Sequence, residues 1–318
     1  MAQDGSVVPE SRFTRSGATV AGTPLTGLVD ARRVLQLFDE GATVVLQGLH
    51  RYWPPLRELV ADLELELGHP CQANAYLTPP GSQGFAVHSD SHDVFVFQTH
   101  GHKQWEIHTD GRVDDVRLEP GLSMYLPTGT PHAARAQDAV SLHVTLGINQ
   151  VTWRGLVEQT VRDVLAEVPD THLPAGYVDQ PAELAAGLRA RLDDVAEAVR
   201  RIDADAAAAD RVERFLTTRS ARLRGGLRDV VAVRALADDT RLARRPGSPC
   251  VLVDHDGGLR LLLGDRTLDV PARLRAALEQ VRAAEVLTPA DLADHLDPES
   301  RLVLCRRLVR EGLLEVVG

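Results

Sequence analysis

His88-Ser89-Asp90 sets an imidazole and a carboxylate two residues apart. In an extended strand such positions share a face, so both side chains can turn toward one ion. His132 is the best candidate for a third ligand. It ends the run Tyr125-Leu126-Pro127-Thr128-Gly129-Thr130-Pro131, and a turn rich in Pro and Gly can aim an imidazole back at the first pair. Two histidines and one carboxylate on one side of an ion make the facial arrangement of non-haem Fe(II) oxygenases, which leaves the remaining positions open for an organic acid and oxygen. His-x-Asp alone is common at polar strand ends, so the surrounding residues decide its weight.

Chief among these is Lys103, the only lysine among 35 basic residues. A chain that otherwise writes positive charge as arginine has here a compact ammonium on a flexible stem. Val94–Thr99 is rich in β-formers, His100-Gly101-His102 reads as a turn, and Lys103-Gln104-Trp105-Glu106-Ile107-His108 alternates with period two, which predicts a β-hairpin. Lys103 then shares a face with Trp105 and Ile107 and is carried inward with them. A buried ammonium needs an anion. A bound organic acid would supply one, as would an internal Asp or Glu, and snorkelling to the rim would remove the need.

The other histidines nearby invite a second metal site, but their positions argue for solvent. His100 and His102 fall in the expected turn, His108 faces opposite to Lys103, and His92-Asp93 follows the ligand strand, where it can shape its exit. Cys71, Cys250 and Cys305 are too few and too scattered for a disulfide framework or a zinc site.

The order of these motifs resembles a known family. Asn74-Ala75-Tyr76-Leu77-Thr78-Pro79-Pro80-Gly81, His88-x-Asp90, His92-Asp93-Val94-Phe95, Gln98, Gly101-x-Lys103-x-Trp105, Tyr125-Leu126-Pro127, Gly129-x-x-His132 and Ser141-Leu142-His143-Val144-Thr145 look like the bacterial JmjC/cupin-type ribosomal oxygenases, in order between Leu28 and Gly147. The resemblance implies a double-stranded β-helix (cupin/jelly-roll) with Fe(II) held by the catalytic residues His88, Asp90 and His132. It implies 2-oxoglutarate as cosubstrate, its far carboxylate on Lys103, with further contacts at Asn74, Ser141 and His143. Thr128 departs from the pattern, since relatives often carry arginine before the glycine.

Such a site must be held by a β-rich section, and the chain reads as an α+β protein that supplies one. Residues 1–24 are rich in Gly, Ser and Thr and read as a tail or irregular lead-in. Residues 25–150 form the expected catalytic domain, with helices at Asp30–Phe38 and Pro54–Leu67, a strand at Ala42–Leu46, and the β-rich part to Gly147. Residues 151–233 turn helical, over 153–168, 181–202 and 206–223, with Leu and Val stripes amid many alanines. A bundle so thin is expected to bury its stripes against a second subunit, as the helical segment does in the family; a lid over its own barrel is the alternative. Residues 234–318 predict a winged-helix-like domain: a hairpin in Cys250–Leu263, helices over 271–284, 288–295 and 298–311, and a final strand in Leu313–Val317. Thr288 and Asp297 stand as helix caps before prolines. The family also carries such a C-terminal module.

Composition narrows the partners. With 44% hydrophobic residues and no long uncharged apolar run, the chain has the makeup of a globular protein without membrane spans. The first residues lack the basic-then-apolar layout of a signal peptide, so a cytoplasmic home is expected. A net charge of −10 argues against non-specific nucleic-acid binding and favours a basic partner. The expectation is therefore an Fe(II)- and 2-oxoglutarate-dependent hydroxylase of a protein or peptide side chain, with a ribosomal protein as the substrate the family suggests. A tailoring hydroxylase of a ribosomally made peptide is the alternative among enzymes. A cupin sensor of a metal or organic acid, acting through the winged helix, is the alternative of another class.

Overall fold

The structure, a computed structural model, describes residues 1–136, 138–255 and 257–317, and only the backbone of Ala18, Val20 and Pro24. The chain divides into two compact units, Met1–Val151 and Thr152–Gly318. The helical segment and the C-terminal section thus group together in the second.

In the first unit, α1 (Ala31–Asp39) starts where the Asp30 carboxylate accepts from the N–H groups of Arg32 and Arg33. Strand β1 (Val44–Leu46) and α2 (Pro54–Leu67) follow, the helix opening on Pro54 and closing on Gly68 in the left-handed conformation. Seven longer strands come next: β2 (Cys71–Thr78), β3 (Asp93–His100), β4 (Lys103–Thr109), β5 (Arg112–Leu118), β6 (Ser123–Leu126), β7 (His132–Ala136) and β8 (Ser141–Ile148). They form two antiparallel sheets, one in the order β6-β3-β8-β2-β1 and one in the order β5-β4-β7. This is a two-sheet, cupin-like core, as the family resemblance implied.

Alternation decides what each face buries. Val94 and Val96 of β3 pack with Trp105 and Ile107 of β4, and with Leu118 and Leu126, as the core between the sheets. On β2 and β8 the opposite parity, Cys71, Ala73, Leu146 and Ile148, packs against Leu56 and Val60 of α2. The other residues of β8, Ser141, His143, Thr145 and Gly147, are buried as well, leaving polar side chains within the barrel.

The hairpin expected from Val94 to His108 is not formed. β3 pairs with β6 and β8, whereas β4 pairs with β5 and β7. Both strands alternate cleanly because each faces the same core from opposite sheets, and alternation cannot tell a hairpin partner from a facing one. Gly101 makes the crossing, at φ +59° and with a Cβ position that would collide with the Val140 carbonyl.

The N-terminal lead-in is partly built into this unit. Ala2 and Thr43 exchange backbone hydrogen bonds of 3.0 and 2.7 Å, the Gly5 N–H donates to the Gly84 carbonyl at 3.0 Å, and Ala2 and Val8 are buried. Backbone pairing and a small cluster, Val8 with Leu37 and Ala42 and with Met1 and Phe13 packed against them, hold this segment; so few apolar residues are why its composition reads as loose.

The second unit begins with α3 (Trp153–Ala166), α4 (Pro181–Arg200), α5 (Ala204–Thr217) and α6 (Gly226–Ala232). Its later part has β9 (Leu242–Arg244), the meander β10 (Val251–His255), β11 (Gly258–Leu262) and β12 (Thr267–Pro271), then α7 (Arg275–Ala283), β13 (Val286–Leu287), α8 (Pro298–Arg310) and β14 (Leu314–Val316). The expected 250–263 hairpin is present, although Asp256 at its turn lies outside the described residues. β9 runs between β13 and β14, and Leu242, Leu278, Leu292 and Leu308 are fully buried beside it. Asp297 caps α8 as expected, accepting from the Glu299 and Ser300 N–H groups.

Candidate metal centre and its cavity

His88 and His132 lie on segments that pair directly: the N–H of each donates to the carbonyl of the other, at 3.0 and 2.8 Å. Each ring is also aimed by its own chain. His88 Nδ1 is 2.9 Å from the Ala86 carbonyl and His132 Nδ1 is 2.9 Å from the Thr130 carbonyl. With Nδ1–H donated, Nε2 is left as a free lone pair, the tautomer a metal requires. Asp90 Oδ2 stands 3.7 Å from His132 Nε2, and one donor atom from each of His88, Asp90 and His132 lies within 4.8 Å of the others. Burial holds the His132 pKa below its usual value, and the neighbouring His88 adds to this, so its neutral, ligating form is favoured. The three residues could hold one divalent ion.

The loop that delivers His132 is tied to the segment that carries Asp90. Gly129 N–H donates to the Asp90 carbonyl at 2.9 Å. Thr128 donates twice to Asp93 Oδ1, from its backbone N–H and from its hydroxyl, each at 2.8 Å, and the Tyr125 hydroxyl donates to Asp93 Oδ2. Burial alone would push the Asp93 carboxyl up, yet these donors outweigh it and hold the group at about 2. Thr128, the position that departs from the pattern of the resemblance, is thus part of the anchor for the loop that carries His132.

These three residues open on a cavity of about 220 Å³ whose wall includes Tyr76, Phe85, Lys103, Trp105, His143 and Thr145. Lys103 is only 3% exposed, which excludes snorkelling. Among the described residues no carboxylate lies within ion-pair distance of it; its partner is His143, with Nζ 3.3 Å from Nδ1. Burial lowers the Lys103 pKa to about 7. Burial, and then the Lys103 charge, drive His143 well below its usual value, so His143 is a neutral acceptor. Its ring stacks on Tyr76 at 4.8 Å and 4°. Burial raises the Tyr76 pKa, with the Asp90 charge adding to it, so the phenol keeps its proton.

The structure therefore gathers five of the seven residues expected at the site, His88, Asp90, His132, Lys103 and His143, around one cavity. Asn74 and Ser141 are not on its wall. The Asn74 carboxamide oxygen accepts from the Gly48 N–H at 2.9 Å, and Ser141 accepts from Gln98 Nε2 at 2.9 Å. Tyr76 and Thr145 were not singled out from sequence, although the parity of β2 and β8 that places His143 inside also places them there. His100 is exposed as expected. His102 and His108 are not fully solvated: His102 pairs with Asp138 at 2.9 Å and the Nε2 of His108 is buried. His92 lies over Gly147, where any Cβ would sit 2.7 Å from its ring.

A family profile for the JmjC domain matches residues 56–113 and 107–156, which hold all three candidate ligands and Lys103. Residues 56–156 are thus similar to a JmjC domain. Among relatives of this JmjC segment, the bifunctional lysine-specific demethylase and histidyl-hydroxylase NO66 of Aedes aegypti is 32% identical over 158 residues, covering 42% of this chain and 25% of that protein. Ribosomal oxygenase 1 of Rattus norvegicus is 32% identical over 145 residues, covering 38% and 24%. The chain thus spans about a quarter of the length of the curated relatives it matches. Among solved structures, YcfD, a ribosomal oxygenase from Escherichia coli, aligns with 87% of this chain and 78% of its own, at 18% identity and a TM-score of 0.49.

Proposed function

We propose that this chain is an Fe(II)- and 2-oxoglutarate-dependent oxygenase that hydroxylates a side chain of a protein or peptide, with a ribosomal protein as the leading substrate class. The observation that carries this is a single cavity with His88, Asp90 and His132 on its wall and an ammonium, Lys103, that is buried without a carboxylate partner. The donor set suits Fe(II), and the unpaired ammonium suits the far carboxylate of a 2-oxo diacid. The names of the JmjC relatives, a histidyl-hydroxylase and a ribosomal oxygenase, support the same reading.

When bound, the iron and the 2-oxo acid would supply oxygen activation and the oxidising power for C–H hydroxylation, with succinate as co-product. The chain's own work is positional. His88, Asp90 and His132 would hold the metal on one side and leave the other side for small ligands. Lys103 would fix the diacid by its far end, and His143, neutral and hydrogen-bonded to Nζ, would hold the ammonium in place. Trp105, Val94 and Val96 give the cavity part of an apolar wall.

The substrate class follows from charge. Residues 1–151 carry 17 acidic side chains against 10 basic ones, a field that favours a cationic protein partner and disfavours nucleic acid. The second unit suits subunit assembly. Leu188 and Leu192, one turn apart on α4, are 55% and 57% exposed, and Trp153 at the start of α3 is 83% exposed; such stripes favour a homodimer. The arrangement β9, β13, β14 with α7 and α8 supports a winged-helix-like reading of 234–318. No helix among the described residues is long and apolar enough to cross a membrane, and all three cysteines are free; a cytoplasmic home accords with both.

The direct test is conversion of 2-oxoglutarate to succinate by the Fe(II)-loaded protein, coupled to a mass gain of one oxygen on a ribosomal protein or basic peptide. Tight 2-oxoglutarate binding with no turnover on any basic protein would favour a sensor instead.

A further inference from the structure

His88 is delivered by a bulge. Its segment pairs with β7 at two points, Gln83 with Arg135 and His88 with His132, and between them it carries two more residues than β7 does. Bulges beside functional sites re-aim side chains. Here the Phe85 ring reaches the cavity wall, 5.6 Å from the His88 ring, and the Ala86 carbonyl comes within 2.9 Å of His88 Nδ1. Backbone groups inside a bulge must find partners away from the ladder. The Ala86 carbonyl has the His88 ring, and the Phe85 carbonyl accepts from Gln83 Nε2 at 3.1 Å. The Gly84 carbonyl accepts from the Gly5 N–H at 3.0 Å, so the lead-in completes the set.

Gly5 fits this place closely. It sits at φ +83°, bridged in parallel to Phe85, and a Cβ there would lie 3.1 Å from the Ala86 Cβ and 3.4 Å from the Ala86 nitrogen. Gly17, in the same lead-in at φ +99°, has open space at its Cβ position. Left-handed backbone explains a glycine at both positions, but only Gly5 lies against the segment that aims a candidate ligand. The lead-in is anchored on either side of it. Ala2 exchanges backbone hydrogen bonds with Thr43, which lines the cavity with Gly84, and Val8 packs with Leu37 and Ala42.

We infer that Gly5 is a positioning residue for the metal centre: lying against residues 84–86, it fixes the bulge and, through the Ala86 carbonyl, the aim of the His88 ring. This rests on the proposed metal-centre reading. A ligand histidine whose other nitrogen loses its acceptor is free to turn and to change tautomer, and support of that kind is worth about 10- to 100-fold in metal affinity.

The test uses the full-length protein and Co(II), with Gly17→Ala as the control for the backbone penalty alone. Gly5→Ala should weaken Co(II) binding about tenfold or more, and Gly17→Ala should leave it at the parent value. In metal-free, ¹⁵N-labelled protein at about pH 8, where an imidazole is neutral, Gly5→Ala should move His88 from the Nδ1–H tautomer toward Nε2–H. His132, held by the Thr130 carbonyl, should not change. Coupling between two sites is reciprocal, so in the unaltered protein Zn(II) should slow hydrogen exchange of the Gly5 amide about tenfold or more, and that of the Asp30 amide, which donates to the Phe13 carbonyl away from the bulge, much less. That measurement needs no variant and so is independent of how well Gly5→Ala folds. A Gly5→Ala protein that melts lower but keeps the parent's Co(II) affinity and His88 tautomer would overturn the inference, as would equal losses in the two variants or a Gly5 amide indifferent to Zn(II). If the parent itself binds no Co(II), it is the metal-centre reading that fails, and the His88 tautomer in metal-free protein still decides whether Gly5 aims the ring.

Discussion

Lys103 Nζ lies 3.3 Å from His143 Nδ1, so the inner part of the cavity holds two basic groups with no carboxylate beside them among the described residues. Neither can be satisfied by the other when both are charged. The pair resolves by keeping His143 neutral, as an acceptor, and leaving Lys103 as a base whose protonated form waits for an anion.

The first prediction follows. Lys103→Ala should remove a charge-assisted contact worth roughly 2–5 kcal/mol and raise the 2-oxoglutarate requirement about 30-fold or more. Lys103→Arg should also be impaired, because the planar fork is longer and bulkier than the ammonium in a cavity of about 220 Å³. Metal affinity should survive both. Parent-like 2-oxoglutarate binding in the alanine variant would leave Lys103 a structural residue.

The same group makes stability depend on pH. Free lysine keeps its proton to about pH 10.4, whereas buried Lys103 loses it near about 7. Between these values the unfolded chain binds the extra proton, so stability should rise with pH across about 7 to 10, by an amount on the order of 4 kcal/mol at most. The difference in unfolding free energy between the metal-free parent and Lys103→Met isolates this slope in denaturant titrations. A bound diacid should flatten it by restoring the ammonium, and 2-oxoglutarate affinity should weaken above pH 7. A pH-independent difference would mean that Lys103 is charged and compensated in the folded protein.

For the metal centre, alanine at His88, Asp90 or His132 should abolish turnover and strongly weaken binding of Co(II), read from its visible spectrum. The fold should survive, since the core between the sheets is built from Val94, Val96, Trp105, Ile107, Leu118 and Leu126 rather than from the ligands. Unchanged Co(II) affinity in His132→Ala would remove that residue from the ligand set and make His92 the next candidate.

Assembly is tested by hydrodynamics. If the stripes of α3 and α4 form a subunit seam, the protein should sediment as a dimer at micromolar concentration, and Leu188→Glu with Leu192→Glu should yield a soluble monomer. A monomeric parent would favour a lid in place of the seam.

Much of the first unit was legible because alternation and residue chemistry agree. That His88, Asp90 and His132 come together could be read from spacing and turn type, and the burial of Lys103 from its place on an apolar face. The hairpin error at 94–108 has the same root as that success: period two reports which face is buried and not which strand is adjacent. Asn74 and Ser141 illustrate a different limit. Parity puts both on inward positions, but side-chain hydrogen bonds to Gly48 and Gln98 occupy them, and such pairings join residues far apart in the chain. The packing of residues 1–8 was hidden because it rests on backbone bonds, which any sequence can make, and on a few isolated apolar residues, Met1 and Val8, that form no periodic pattern.

Asp93 offers the sharpest separation of position from chemistry. It is not a candidate ligand, yet its carboxylate takes the Thr128 N–H, the Thr128 hydroxyl and the Tyr125 hydroxyl, and so fixes the loop that aims His132. Asp93→Ala should cost roughly 2–3 kcal/mol of stability, since hydrogen bonds to a charged group are lost and donors are left unmet. It should also weaken Co(II) binding about 10- to 100-fold, as removal of supporting residues around metal ligands does. Thr128→Ala removes one hydroxyl and keeps the backbone donor, so its effect on Co(II) should be severalfold at most, and Tyr125→Phe should resemble it. Differential scanning calorimetry reads the first quantity and Co(II) absorbance titration the second. If Asp93→Ala loses stability while Co(II) affinity stays at the parent value, the anchor serves the fold alone, and the aim of His132 is set by its own Thr130 carbonyl and the pairing with His88.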